Sequence, residues 1–217
     1  MKNSKPEAIK REQSTGEEIA NSISHGVAAV GAIAITPIMI VKAIPAGAAA
    51  VVGVSIFGTT MILLYLSSTL YHAFTHNLTK RIFNIFDHGA IFLLIAGTYT
   101  PFTLGVLRGV WGWSLLVVVW VLAILGIVLK SVAGARSGKL STGLYLAMGW
   151  LAVLAIKPFW LHMPGLGLIW LVAGGLMYSA GVFFFVAHRI RYHHFIWHIF
   201  VMAGTACHVV AVMGYAF

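Results

Sequence analysis

The sequence predicts an all-α integral membrane protein with seven transmembrane helices. Of its 217 residues, 60% are hydrophobic and only 9% are charged. The mean hydropathy of +0.94 is far outside the range of soluble domains. Apolar runs long enough to cross about 30 Å of hydrocarbon as helices occur at residues of about 20–41, 49–74, 84–106, 111–130, 141–160, 166–187 and 195–216. The separators are short and carry turn residues, so no loop can hold a soluble domain.

The first 18 residues differ from the rest of the chain because they are polar. They lack the apolar region and the small-residue cleavage site of a signal peptide. We therefore expect a short polar cytoplasmic tail over residues 1–18 and a single seven-helix transmembrane domain over residues 19–217. The lone Cys207 lies in the last apolar run, where it is expected to pack as a small hydrophobe.

The distribution of Lys and Arg predicts the orientation of the chain. With a cytoplasmic N-terminus, 11 of the 14 Lys and Arg residues lie on the inner side and three, Lys42, Arg108 and Lys157, on the outer side. Positive loops are retained in the cytoplasm, so we expect a multi-pass protein of the cell inner (plasma) membrane with an extracytoplasmic C-terminus. The net charge of +9 does not indicate nucleic acid, because the basic residues sit in short loops. Membrane lipids are the expected partners.

Polar side chains inside the predicted spans define a candidate site. They are Ser68 and His72 in the second span, Asp87 at the start of the third, and His194 and His198 in the seventh. Such side chains are costly in a bilayer and usually functional. Counted from the nearest inner basic residue at about 1.5 Å per residue, the depths of the three histidines and Asp87 range from about 5 Å for His194 to about 12 Å for His72. Three helices are therefore expected to present ligand-type side chains in one layer.

The histidines of this layer have the spacing of a metal site. His194 and His198 are four residues apart, so they share a helix face and can bind one ion together. With His72 the site has three imidazoles, the composition of a catalytic zinc centre with a water in the open position. Asp87 could hold that water or accept its proton. Imidazoles also suit Cu, Fe or Ni, so the residues leave the metal open.

Asp87 also has a purely structural interpretation. Asn84 and Asp87 have the spacing of a capping pair at a helix start. Asp87 could instead form an ion pair with Lys80 or Arg81. The sequence alone does not separate these interpretations from a catalytic one.

The remaining histidines are weaker candidates. His76 and His193 fall at span edges, where an imidazole can reach water. His208 lies roughly 25 Å along the helix from the basic residue before the last span, so we expect it to be packed or to contact water. His25 could lie behind the ligands, and His188 has no assigned role.

Four segments carry a family resemblance. In order, EEIANSISHG, SSTLYH, FDHGAIFLLIAGTYTPF and HHFIWHIFVMAGTACHVVAV resemble the bacterial hemolysin III branch of the family that also contains the progestin and adiponectin receptors. The resemblance implies a seven-helix membrane fold with an intramembrane zinc near the cytoplasmic side. It implies that three histidines are zinc ligands, namely His72, His194 and His198. Ser68 is the companion of His72 in the same motif. Asp87 resembles the residue that holds the zinc-bound water.

The resemblance also links this fold to membrane hydrolases that include alkaline ceramidases. We therefore predict a zinc-dependent hydrolase of lipid amides or esters, with Asp87 and Ser68 as its catalytic residues. Two alternatives stay open: a non-catalytic regulator or sensor of membrane lipid state with a structural zinc, and a pore-forming hemolysin. Against a pore, the sequence has no amphipathic segment able to convert from a soluble form. Hormone binding is not expected, because the long N-terminal region of the animal receptors is missing.

Overall fold

The computed structural model of the protein describes residues 11–133 and 138–217, apart from the side chain of Lys139. Residues 1–10 of the predicted tail lie outside these ranges, as does Arg136. The helices of the described part are α1 (Thr15–Ala43), α2 (Ala48–Ala73), α3 (Asn77–Leu104), α4 (Val110–Ala133), α5 (Gly138–Gly149), α6 (Ile156–His162), α7 (Gly165–Val186) and α8 (His193–Tyr215). Short 3₁₀ helices follow α1 at Ile44–Ala46 and join α5 to α6 at Trp150–Ala155.

Seven helical segments of the described chain are long and apolar enough to cross a membrane. The fifth of them, Leu140–His162, combines α5, the 3₁₀ helix and α6. The predicted all-α fold with seven transmembrane helices is therefore confirmed. The side of the membrane on which each terminus lies stays a prediction from the Lys and Arg distribution.

The start of α1 lies inside the segment predicted as a polar tail. Ser14 is its N-cap and forms a capping box with Glu17. The Glu17 backbone N–H donates to Ser14 Oγ at 3.4 Å, and the Ser14 backbone N–H donates to Glu17 Oε2 at 2.9 Å. These bonds satisfy amides that a helix start leaves open. The helix therefore begins at Thr15, and Glu18 belongs to its first turn.

The start of α3 differs from the expectation as well. The helix begins at Asn77, whereas the apolar run suggested residue 84. Its first turns include Lys80 and Arg81, so they are helical without being apolar. Asp87 consequently lies in the third turn, and the interpretation of Asn84 and Asp87 as a capping pair is wrong.

Packing between neighbouring helices closes the bundle into one body. The chain packs α1 on α2, α2 on α3, α3 on α4 and α7 on α8, and α8 returns to pack on α1. Helices α2 and α3 approach closely at Gly97, where an added Cβ would lie 2.1 Å from Thr60 Oγ1, as is common where membrane helices meet. Because α8 packs on α1, the first turns of both helices lie beside the last turn of α2. We call the region formed by these three turns the N-terminal end of the bundle.

Candidate metal centre

Three histidines converge at the N-terminal end. His72 is in the last turn of α2, and His194 and His198 are in the first two turns of α8. One ligand nitrogen from each lies within 4.8 Å of those from the other two. Their ring centroids are 4.7 to 5.2 Å apart. The structure therefore brings together the three histidines that the sequence singled out.

The arrangement fits a tetrahedral metal ion that prefers imidazole. Zinc bound to histidine at about 2.0–2.1 Å holds its nitrogens roughly 3.4 Å apart. The observed spacing therefore needs to close by little more than an ångström. The Nε2 atom of His72 is buried and has no hydrogen-bond partner among the described residues. A buried polar atom without a partner is costly, and an ion between the three rings would satisfy it.

The other nitrogen of His72 is held by α1. His72 Nδ1 donates to Glu18 Oε2 at 2.6 Å, and Lys80 Nζ donates to Glu18 Oε1 at 2.7 Å. His72 and Lys80 thus contact the same carboxylate. The depth of about 12 Å expected for His72 assumed one continuous helix up to Lys80, whereas residues 74–76 between α2 and α3 are not helical.

His198 is held by α1 in the same way. Its Nδ1 lies 3.2 Å from the Asn21 carbonyl oxygen and 3.0 Å from Ser24 Oγ. Ser24 donates its own proton to the Asn21 carbonyl at 2.8 Å, so its oxygen is free to accept from Nδ1. The proton of His198 is therefore on Nδ1, and Nε2 carries the lone pair that a metal requires.

Three contacts from α1 were not predicted. Glu18 falls within the predicted polar tail, and the sequence pattern assigns no role to Asn21 or Ser24. A signal was present in the sequence, since these three residues are spaced three apart and a helix places such residues along one stripe. The capping pattern of Ser14 and Glu17 would have placed the helix start correctly.

His25 lies against the back of the candidate ligand His198, as the sequence allowed. The two rings are parallel within 7° and their centroids are 3.5 Å apart. His25 is buried, and neither of its ring nitrogens has a hydrogen-bond partner within the described residues. The His25 ring therefore packs behind the His198 ring.

Asp87 is buried and lines the cavity that His194 and His198 also line. Its ion-pair contact within the described residues is with its neighbour His88, whose Nδ1 lies 3.6 Å from Oδ2. Lys80 pairs with Glu18 instead, so the expected alternative of an Asp87–Lys80 pair is wrong. Among the described residues, Asp87 forms no ion pair with Arg81 either.

Ser68 is fully buried and lines the same cavity. Several buried hydroxyls in the spans donate to the carbonyl four residues earlier, as those of Thr98, Thr100 and Thr205 do at 2.8 to 2.9 Å. Ser68 Oγ has no hydrogen-bond partner in the described part of the chain. Its hydroxyl is therefore available to a molecule in the cavity.

The cavity extends from the histidine cluster into the bundle. It reaches from His194 to His208 on α8, which are 14 residues apart and thus about 21 Å along a helix. Its walls are mainly aliphatic and aromatic, and include Leu64, Ile91, Leu94, Phe102, Phe159 and Val201. His194 and His198 of the cluster line one end of the space, and the lining beyond them is mainly apolar.

The other histidines do not join the cluster. His208 is buried, and its Nε2 lies 3.1 Å from the Leu171 carbonyl oxygen. His76 is exposed at the start of α3, as expected for a span edge. His193 is buried with Nδ1 3.0 Å from the Phe184 carbonyl oxygen, so the expectation that it reaches water is wrong.

A helical multi-pass membrane protein with a histidine cluster and an internal apolar cavity is the class that fold and site define. Within that class, the chain belongs to the haemolysin-III related family, whose sequence profile matches residues 13–209. It is 48% identical to the "Hemolysin-3 homolog" of Bacillus subtilis (strain 168) over 200 residues, 92% of this chain and 94% of that protein. It is 47% identical to the "Hemolysin-3" of Bacillus cereus over 200 residues, 92% of this chain and 91% of that protein.

A more distant relative is found in animals. The human "Monocyte to macrophage differentiation factor" is 28% identical over 172 residues, which cover 75% of this chain and 69% of that protein. The family resemblance stated from the four sequence segments is therefore confirmed.

Proposed function

We propose that this protein is a zinc-dependent hydrolase of lipid amides or esters. The observation that carries the proposal is the convergence of three histidines, His72, His194 and His198. Two of them, His194 and His198, line one end of a cavity that Asp87 and Ser68 also line. A cavity with one polar end and apolar walls suits a molecule with a polar head and an acyl chain. The three histidines would hold the ion, and Asp87 and Ser68 would act on the substrate.

A bound zinc ion lowers the pKa of a water molecule and polarises a carbonyl group. Asp87 accepts a proton from the attacking water as its oxygen bonds to the acyl carbon. The bond from that carbon to nitrogen or oxygen then breaks, and Asp87 returns the proton to the departing amine or alcohol. Ser68 donates a hydrogen bond from its free hydroxyl and orients the acyl group.

The cavity wall offers a route for lipid from the bilayer. Val153, Ile156 and Val172 line the cavity and are each about half exposed. A substrate that enters there does not need to leave the membrane. Its acyl chain would lie along the apolar walls, with its amide or ester beside the histidines.

The experiment that tests this function is the release of fatty acid from a panel of membrane amides and esters. The detergent-purified protein is loaded with zinc and its metal content is measured on the same samples. We expect turnover of at least one class of substrate, abolished by a chelator. No turnover by zinc-loaded protein across a broad panel would contradict the hydrolase and favour a regulator of membrane lipid state with a structural zinc.

The names of the two bacterial relatives suggest membrane lysis as a second candidate. The described chain offers seven apolar spans and an internal cavity with apolar walls, and neither forms a polar channel. The same purified protein, added to dye-filled vesicles, is expected to cause no leakage. Leakage in a zinc-independent manner would favour the pore.

We place the protein in the plasma membrane with its N-terminus in the cytoplasm, on the basis of the 11 inner and three outer basic residues. The histidine cluster then lies near the cytoplasmic face. A reporter fused after Phe217 should be active outside the cytoplasm, and one inserted near Gly138 inside it. The opposite pattern would place the cluster at the outer face.

A further inference from the structure

Helix α1 contacts the Nδ1 atoms of His72 and His198, two of the three clustered histidines. Glu18 accepts a hydrogen bond from His72 Nδ1, and the Asn21 carbonyl and Ser24 hydroxyl face Nδ1 of His198. These α1 residues lie three apart and so form a stripe along the helix. Glu18 differs from the other two because its side chain carries a charge.

The Glu18 carboxylate is fixed in place from both sides. One oxygen accepts from His72 at 2.6 Å and the other accepts from Lys80 at 2.7 Å. The side chain of His72 is 1% exposed, whereas those of Glu18 and Lys80 are 24% and 28% exposed. The carboxylate therefore stands between water and the buried imidazole, with little freedom to turn away.

A carboxylate at this position decides which nitrogen of His72 can bind a metal. A neutral imidazole carries one ring proton, and a strong acceptor at Nδ1 keeps the proton there. The lone pair is then on Nε2, the buried atom that has no partner among the described residues. The negative charge of the carboxylate also attracts a cation to the site.

We infer that Glu18 is a positioning residue of the metal centre, which selects Nε2 of His72 as the ligand atom and raises the affinity of the site for a divalent ion. The inference rests on the proposed metal site and adds to it a residue outside the three histidines. The competing interpretation is that Glu18 only ties the ends of α1, α2 and α3 together. That role would change the stability of the metal-free protein and leave its metal affinity unchanged.

The test is the zinc affinity of the full chain in detergent, measured by competition with a chromophoric chelator. Glu18→Gln retains an acceptor oxygen for His72 but removes the charge. We expect its zinc affinity to fall by roughly 10- to 100-fold, the range for lost partners of ligating histidines. Glu12→Gln is the matched control, since Glu12 is exposed and should keep wild-type affinity.

A second variant distinguishes an effect of Glu18 on metal affinity from an effect on the packing of α1, α2 and α3. Lys80→Met removes the ion pair from α3 but leaves the carboxylate on His72. We expect it to lower the melting temperature of the metal-free protein at least as far as Glu18→Gln does, while it keeps more of the zinc affinity. Equal losses of zinc affinity in the two variants would overturn the inference.

The outcomes distinguish this inference from the proposed function. A wild-type protein that binds no zinc overturns both. Zinc binding by wild type with unchanged affinity in Glu18→Gln overturns the role of Glu18 alone. If Glu18→Gln does not fold, Glu18→Asp takes its place, because a side chain one methylene shorter withdraws the carboxylate from His72. Wild-type affinity in Glu18→Asp would then overturn the inference.

Discussion

His198 and His208 lie on the same helix, ten residues or about 15 Å apart, and both are buried. His198 has its Nδ1 held by α1 and its ring among three other imidazoles. His208 has its Nε2 against the Leu171 carbonyl and its ring against Gly174 of α7. Residue type and burial are therefore insufficient to identify a ligand. The difference lies in the partners of each ring.

The comparison separates the end around His198, which we propose is the reactive end, from a packed interior around His208. Around His198, hydrogen bonds that the ring donates to α1 fix it in place, and other histidines face it. Around His208, a glycine makes room for the ring, because a Cβ at Gly174 would lie 2.3 Å from its Cδ2 and Nε2 atoms. Such a fit is typical of close helix packing in membranes. We expect substitutions at the first end to alter chemistry and substitutions at the second to alter stability.

The largest expected effect concerns Asp87 at the reactive end. Asp87→Asn should keep the fold and most of the zinc, because the three histidines remain. It should lower fatty-acid release by on the order of 100-fold or more, the scale for loss of a positioned general base. The measurement is hydrolysis with zinc content determined on the same samples.

The control for Asp87→Asn is Glu12→Gln, a matched loss of charge at an exposed carboxylate. It should leave hydrolysis unchanged. If Asp87→Asn retained wild-type turnover, Asp87 would have only a structural role, and the reactive end would lose its proton acceptor.

A smaller effect is expected from Gly174 in the packed interior. Gly174→Ala forces a Cβ into the His208 ring and should cost about 1–3 kcal/mol of unfolding free energy, as overpacking does. The neighbouring Gly175→Ala is the matched control, since its Cβ would lie 3.7 Å from Trp150, an ordinary contact. The measurement is the melting temperature of the purified protein in detergent.

A double variant tests whether the cost of Gly174→Ala comes from the His208 ring. In a His208→Ala background the ring is absent, so Gly174→Ala should lose most of its cost relative to Gly175→Ala. Equal melting temperatures of Gly174→Ala and Gly175→Ala with His208 present would contradict the packed arrangement.

The fold was largely predictable because apolar runs report where helices cross hydrocarbon. They do not report helical turns that extend into polar surroundings. For this reason α1 begins at Thr15 and α3 at Asn77, both earlier than the apolar pattern indicated. The interruption of the fifth span by a 3₁₀ helix at Trp150–Ala155 was not predicted, since its sequence is as apolar as its surroundings.

The histidines of the candidate site were predictable from their spacing, but their partners were not. His194 and His198 are four residues apart on one helix, which is visible in the sequence. The contact of Glu18 with His72 joins residues 54 apart and depends on how α1 packs on α2. Periodicity within one helix carries no information about such a contact.

Metal content tests the central claim most directly. The detergent-purified wild-type protein should carry about one zinc ion per chain, as expected for a site with three imidazole ligands. His194→Ala combined with His198→Ala should lose it, whereas His208→Ala should keep it, because His208 packs against α7 outside the cluster. Wild-type zinc content in the double variant, or its loss in His208→Ala, would contradict the assignment of the metal centre.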